Sequence, residues 1–314
     1  MRCLCVFCLC FALTAEATSS YELAEHYSPV LYQGIGHHPR ADFIATFDYD
    51  GDDSSANNWE NLEQGTLEAA LYYSVIESET HWFLTYLVFH PRDYSRVCLP
   101  VVCHENDLEG IKITVAKDGS EFGSLRLMET IAHFEILAYA APTGSAKSRV
   151  GFKGSILLET GHPVVFVEAQ GHGIYGMDAK RQAACRGTCL VYRQARGEAV
   201  EPSWPADRSA GYELRPIYDA LWQVLVEQET GTFANFFTFV NPLSGATKVL
   251  PGSLSGDNWG KDKANLPWAW VYPRDSLLAR GDWFLDPAKN LAVHFDLDEP
   301  VSRIYTDNSF LESI

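Results

Sequence analysis

The sequence predicts a mostly β chain, an antiparallel two-sheet β-sandwich with loop-rich insertions and one packed amphipathic helix. Three observations carry this. Short runs rich in Val, Ile, Tyr, Phe and Thr recur along the chain, and turn formers such as Lys117-Asp118-Gly119-Ser120 separate several of them. Only one long stretch, Tyr212 to Gln228, repeats apolar residues (Leu214, Ile217, Tyr218, Leu221, Leu225) at three and four, the stripe of a helix lying on a sheet.

The expected strands are Tyr27 to Tyr32, Ala41 to Phe47, Ala69 to Ile76, His81 to Phe89, Glu109 to Ala116, Ser124 to Met128, Ile131 to Ala140, Val164 to Ala169, Cys189 to Arg193, Thr232 to Phe239 and Leu291 to Phe295. Ahead of them, residues 1–17 carry Arg2, an apolar stretch to Leu13 and Ala15-Glu16-Ala17, the pattern of a signal peptide cleaved before Thr18. Residues 18–314 are expected to form a single β-sandwich domain with a C-terminal loop-rich extension. No segment approaches the length of a transmembrane span, so the mature chain is expected to be secreted and extracellular. The oligomeric state is not legible.

A net charge of -17 argues against nucleic acid or an anionic membrane as the default partner and favours cation binding or simple solvation. Four of the eight cysteines lie in the leader. The others, Cys98, Cys103, Cys185 and Cys189, are expected to pair by proximity as two small disulfide loops, with a zinc site as the competing reading.

The chemistry concentrates in Cys103-His104-Glu105-Asn106-Asp107-Leu108-Glu109-Gly110. If the segment is extended from Asp107, then Asp107, Glu109 and Ile111 share one face, and two adjacent carboxylates call for a divalent cation or an acid/base role. Asp48-Tyr49-Asp50-Gly51-Asp52-Asp53 reads either as a cation loop or as an acidic solvated turn. His90-Pro91-Arg92-Asp93 and Gln170-Gly171-His172-Gly173 each place a histidine at a strand exit, whereas His133, inside an apolar run, reads as structural. The Trp-, Asn- and Asp-containing loops from Asp257 to Pro287 read as sugar-stacking elements or as loop anchors. The zinc-protease, nucleophile-elbow, P-loop and dinucleotide patterns are absent.

This layout, from Tyr27-Ser28-Pro29-Val30-Leu31-Tyr32 through His104 to Gly110 and on to Tyr175, resembles that of the necrosis-inducing (necrosis- and ethylene-inducing-like) proteins, whose signature is Gly-His-Arg-His-Asp-Trp-Glu. His104, Asp107 and Glu109 fall on its first histidine, aspartate and glutamate. Cys103, Glu105, Asn106 and Leu108 depart from it. The His-Glu-Asn-Asp-x-Glu-Gly core is closer to that of uncharacterised secreted proteins, which implies no activity. The necrosis-inducing resemblance implies a secreted β-sandwich that binds a divalent cation and sphingolipid headgroups.

The leading expectation is a calcium or magnesium site, with manganese as an alternative, held by His104, Asp107 and Glu109 with Asp48 or Asp50, and recognising a sugar or lipid headgroup. The rival is a metal-dependent hydrolase of phosphodiester, ester or glycoside substrates, with Glu105 or His172 as base and Arg92 holding an anionic group of a small-molecule substrate.

Overall fold

The computed structural model describes residues 18–99, 102–228, 230–258, 263–273 and 277–314. The expected leader and residues 259–262 of the aromatic tail lie outside these. Strands β1 (Val30–Gly34), β2 (Ala70–Ser78), β3 (His81–Asp93), β4 (His104–Ala116), β5 (Ser124–Ala132), β6 (Glu135–Ala140), β7 (Lys147–Ser148), β8 (Phe152–Ser155), β9 (Leu157–Glu159), β10 (His162–Val167), β11 (Ile174–Gly176), β12 (Cys189–Gln194) and β13 (Ser209–Pro216) follow in turn. All but β7 join one sheet in the order β11-β10-β1-β12-β13-β2-β3-β4-β5-β6-β8, with β9 beside β10 and a short strand, Tyr305–Asp307, against β2.

This corrects the antiparallel two-sheet sandwich. Strands β2 to β6 form the expected antiparallel meander, but β1 with β10, β12 with β13, β13 with β2, and β6 with β8 are parallel. The fold is mostly β and its sheet is mixed. The sheet curls back on itself, so that Thr130 Oγ1 on β5 donates to the Ile174 carbonyl of β11 at 2.7 Å. Strands β3 and β4 are covered on both faces, which is why His81 to Phe89 reads as a near-continuous apolar run instead of an alternating one.

Four further expectations change. Tyr212 to Pro216 belongs to β13, and only Tyr218–Glu227 is helical, wound as a π-helix. Pro216 is the physical reason: it holds Arg215 extended, lacks an N–H, and can start a helix but not sit within one. Leu291 to Phe295 is mostly the end of helix Pro287–His294, whose Asp286 caps Lys289 N–H ahead of a proline at the first turn. Ala41 to Phe47 is a 3-10 turn, Pro39–Asp42, followed by buried irregular chain anchored by Phe47 N–H to Tyr72 Oη at 2.7 Å. Ile131 to Ala140 is broken at His133-Phe134, the tip of the β5–β6 hairpin, where His133 takes φ 57°. Both proximity disulfides are present, Cys98 to Cys103 and Cys185 to Cys189. No described helix is long and apolar enough to cross a membrane.

On the outer face of β4, Trp270 occupies the space a side chain at Gly110 would need, its ring 2.3 Å from the position of such a Cβ. Two residues on, Lys112 is fully buried against Glu129 at 2.9 Å and the Trp283 carbonyl at 3.0 Å. Glu129 also accepts from Tyr272, Trp283 and Asn290. Burial, only partly offset by Glu129, lowers the Lys112 ammonium to about 8. Between that value and the ordinary lysine value of about 10.4, the unfolded chain holds a proton the folded chain has lost, so stability from this group rises with pH. Lys112→Met is expected to remove that alkaline gain and cost about 1–3 kcal/mol at pH 7. Urea unfolding at several pH values is the check, and a profile unchanged from wild type would contradict it.

Candidate functional site

A pocket of about 340 Å³ opens where the first half of β4 runs past the tip of the β5–β6 hairpin; among its lining residues are Asp93, His104, Asp107, Glu109, His133 and Trp270. Alternation along β4 places Asp107 and Glu109 on one face and would send His104 to the other. An irregularity in the ladder corrects this. Arg92 on β3 opposes both Glu105 and Asn106, and Asn106 takes φ 59°. Pro91 has no partner opposite, so the register is the same on both sides of this irregularity, and it is the left-handed turn of the backbone at Asn106 that breaks the alternation and lets His104 join the two carboxylates in lining the pocket. Asn106 is locked there by Asn58 at 2.6 Å and the Ser55 carbonyl at 2.8 Å.

His104 Nδ1 donates to the Asn106 carbonyl at 2.7 Å, which leaves Nε2 facing Asp93 at 3.4 Å. Burial opposes protonation of His104, but the bond to Asp93 and the charge of Asp107 outweigh it and raise its pKa. Asp93 is pushed up by burial and by Asp107, against the pull of His104. Glu109 is pushed well above the ordinary carboxylate range by burial first and then by Asp107. Its Oε1 accepts from the His133 backbone N–H at 2.9 Å, whereas its Oε2 is buried with no hydrogen-bond partner.

Behind the pocket, His172 is fully buried and bridges two acids, Nδ1 to Asp107 at 2.9 Å and Nε2 to Asp42 at 3.2 Å. Burial opposes its charge, yet the hydrogen bonds to Asp107 and Asp42 raise the imidazole to about 9. Asp42 is itself held by the N–H groups of Gly36 and Gln170 and by the Tyr94 hydroxyl. His90 stacks on His172 with ring centres 3.8 Å apart, and burial followed by the His172 charge keeps it neutral. The glycines flanking His172 make room for the neighbouring His133–Glu168 pair. A Cβ at Gly171 would lie 2.9 Å from the His133 ring, which pairs with Glu168 at 2.5 Å.

His104, Asp107 and Glu109 thus line one pocket with His172 behind Asp107, while the three ligand atoms found within 4.8 Å of one another among the described residues belong to Glu60, Glu105 and Asp257. Asp48 and Asp50 do not line this pocket: Asp48 lies 4.0 Å from Arg215, and Asp50 accepts from Asn61 at 2.7 Å. Glu105 is turned away, its two oxygens accepting the backbone N–H groups of Trp59 and Asp257. It groups instead with Glu60 and Asp257, whose ligand atoms lie within 4.8 Å of one another. That triplet offers a cation less, because both Glu105 oxygens are already engaged and its companions are exposed. Arg92 lies against Trp59, its guanidinium 4.4 Å from the ring centre. Asp42, Asp93, His133 and Glu168 were not among the residues expected to form the site. Asp93 closes β3 and pairs with His104 across the ladder; an acid at the strand exit after His90 was the available signal.

Solved structures similar to this chain include a non-toxic HaNLP3 protein (13% identity, TM-score 0.35, 66% of this chain and 79% of that one). NLPPya in complex with glucosamine gives 15%, 0.34, 52% and 69%. Necrosis and Ethylene inducing Protein 2 from the causal agent of cocoa's Witches Broom disease gives 12%, 0.33, 69% and 94%. The likeness to the necrosis-inducing proteins is remote. At these TM-scores it carries no argument about the site. No protein-family model and no curated protein sequence matches the chain.

Proposed function

We propose that this chain is a secreted protein that binds a divalent cation at Asp93, His104, Asp107 and Glu109 and uses it to recognise a sugar or lipid headgroup in an effector- or toxin-like role. The observation that carries the reading is the unpartnered, buried Oε2 of Glu109 beside two further carboxylates. A buried acceptor without a donor, on a carboxyl whose pKa burial and the neighbouring Asp107 raise, is the condition a hard cation relieves. Three carboxylates and one imidazole suit magnesium, calcium or manganese better than a soft thiophilic metal. When bound, the ion would neutralise the acids and attract ligand hydroxyl or phosphate oxygens. Around it, His172 holds Asp107 in place, the His133 N–H holds Glu109, and Trp270 and the exposed Phe134 give the pocket apolar walls for a sugar ring.

The hydrolase reading is less well supported by the geometry, because both His172 nitrogens and both Glu105 oxygens are already engaged. Calorimetric titration of chelator-treated protein with calcium, magnesium and manganese is expected to give saturable heat with at least one ion, and Asp93→Asn is expected to weaken it tenfold or more. No heat from any of the three at millimolar concentration would overturn the reading.

A further inference from the structure

Arg92 stands one residue before the pocket's Asp93, opposite Glu105 and Asn106 of β4, and its surroundings differ from those of a structural arginine. Its Nε is buried without a hydrogen-bond partner. Among the described residues no carboxylate forms an ion pair with it; the nearest acids in its field are Glu63 and Asp42. Both are committed elsewhere, Glu63 to Arg40 at 3.5 Å and Asp42 to His172 and the Tyr94 hydroxyl. The guanidinium is walled by aromatic rings, 4.4 Å from the centre of Trp59 and 5.7 Å from that of Tyr94. Two exposed histidines complete the cluster: His37 and His38 pack edge-on to Tyr94 at 5.0 and 5.3 Å. Glycine is required at position 36 for this approach, since a Cβ there would lie 2.5 Å from the Tyr94 hydroxyl.

A guanidinium set against flat rings with its Nε lacking an acceptor, and sharing Tyr94 with two exposed imidazoles, is suited to receive an oxyanion. The charge of the cluster is that of Arg92, which lacks the ion-pair partner that Arg40, Arg126 and Arg193 have in this chain of net charge -17. We propose that Arg92, with His37 and His38, forms an anion subsite for the phosphoryl group of a phosphorylated sugar or lipid headgroup. The subsite is separated from the carboxylate pocket by Tyr94, which lines that pocket while its ring meets His37, His38 and Arg92. It needs no bound cation, so it stands or falls independently of the cation reading.

The test is calorimetry on the full chain in EDTA, with inorganic phosphate, glucose 6-phosphate, glucose, and phosphatidylcholine vesicles with and without phosphatidic acid. Phosphate and glucose 6-phosphate are expected to bind and glucose is not. Arg92→Gln is expected to weaken binding at least tenfold, Arg92→Lys several-fold because the planar fork is lost, and the His37→Gln/His38→Gln double variant less than Arg92→Gln. Glu109→Gln, which disables the cation pocket, is expected to leave phosphate binding unchanged. Binding of phosphatidic acid vesicles would identify a lipid source for the phosphoryl group, and binding of the soluble esters alone a soluble one. Wild-type protein that ignores phosphate, or an Arg92→Gln protein that is folded by circular dichroism and binds it equally, would overturn the proposal.

Discussion

Replacing His172 with glutamine is expected to destabilise the fold by about 3–5 kcal/mol, the cost of leaving a buried charge without its partner. The imidazolium is the shared counter-ion of Asp42 and Asp107, and the three side chains are almost wholly inaccessible. Glutamine can still donate a hydrogen bond but brings no charge, so two carboxylates would face each other across a buried gap. The sign with pH follows from the raised imidazole. Its stabilising contribution is fully present below the unfolded value of about 6.5 and is lost as pH rises through about 9. Urea unfolding of the two proteins at pH 6, 7.5 and 9 measures this, and their difference should shrink across the series. Adding Asp42→Asn to His172→Gln should recover part of the loss, since one of the stranded charges is then gone. A single-variant cost below about 1 kcal/mol would mean the clamp is not ionised.

The second large effect has opposite signs in the absence and presence of cation. Glu109→Gln is expected to stabilise the cation-free protein, because a carboxylate disfavoured first by burial and then by Asp107 becomes a neutral amide of the same shape. The same change should abolish the stabilisation by calcium, magnesium or manganese, which for wild type reaches about 2.7 kcal/mol at a hundredfold excess over Kd. Glu109 takes up its proton more readily folded than unfolded. Above the ordinary glutamate value of about 4.3 its contribution to stability therefore falls as pH rises, and Glu109→Gln should flatten that part of the profile. Thermal unfolding with EDTA and with each ion separates the two effects. Equal cation-induced shifts in both proteins would remove Glu109 from the site.

The central meander was legible because its signals are local: β-branched and aromatic runs divided by turn residues, each strand beside its sequence neighbour. The parallel pairs were not, since nothing in Val30 to Gly34 announces that Val164 lies alongside. The same division holds at the site. His104, Asp107 and Glu109 could be found because six residues of one strand carry them; alternation gives the facing of Asp107 and Glu109, whereas that of His104 depends on the left-handed backbone at Asn106. Asp42 escaped notice because it lies in chain that looked like a strand and is a turn. His133 read as core because its apolar neighbours hid a two-residue hairpin tip. Asp48 and Asp50 looked like ligands by composition, and only the fold shows Arg215 and Asn61 beside them.

The bridge from Asp42 through His172 to Asp107 spans 130 residues of sequence on one side and 65 on the other. It depends on β1 and β10 having paired in parallel, which is a high-contact-order event with a large loop to close. The meander can condense from neighbours long before this happens. The carboxylate pocket then acquires its back wall late, when the two ends of the sheet meet. No fragment ending before His172 contains the clamp, so ordering of the pocket reports on completion of the topology and not on the early collapse of the strands that supply most of its side chains.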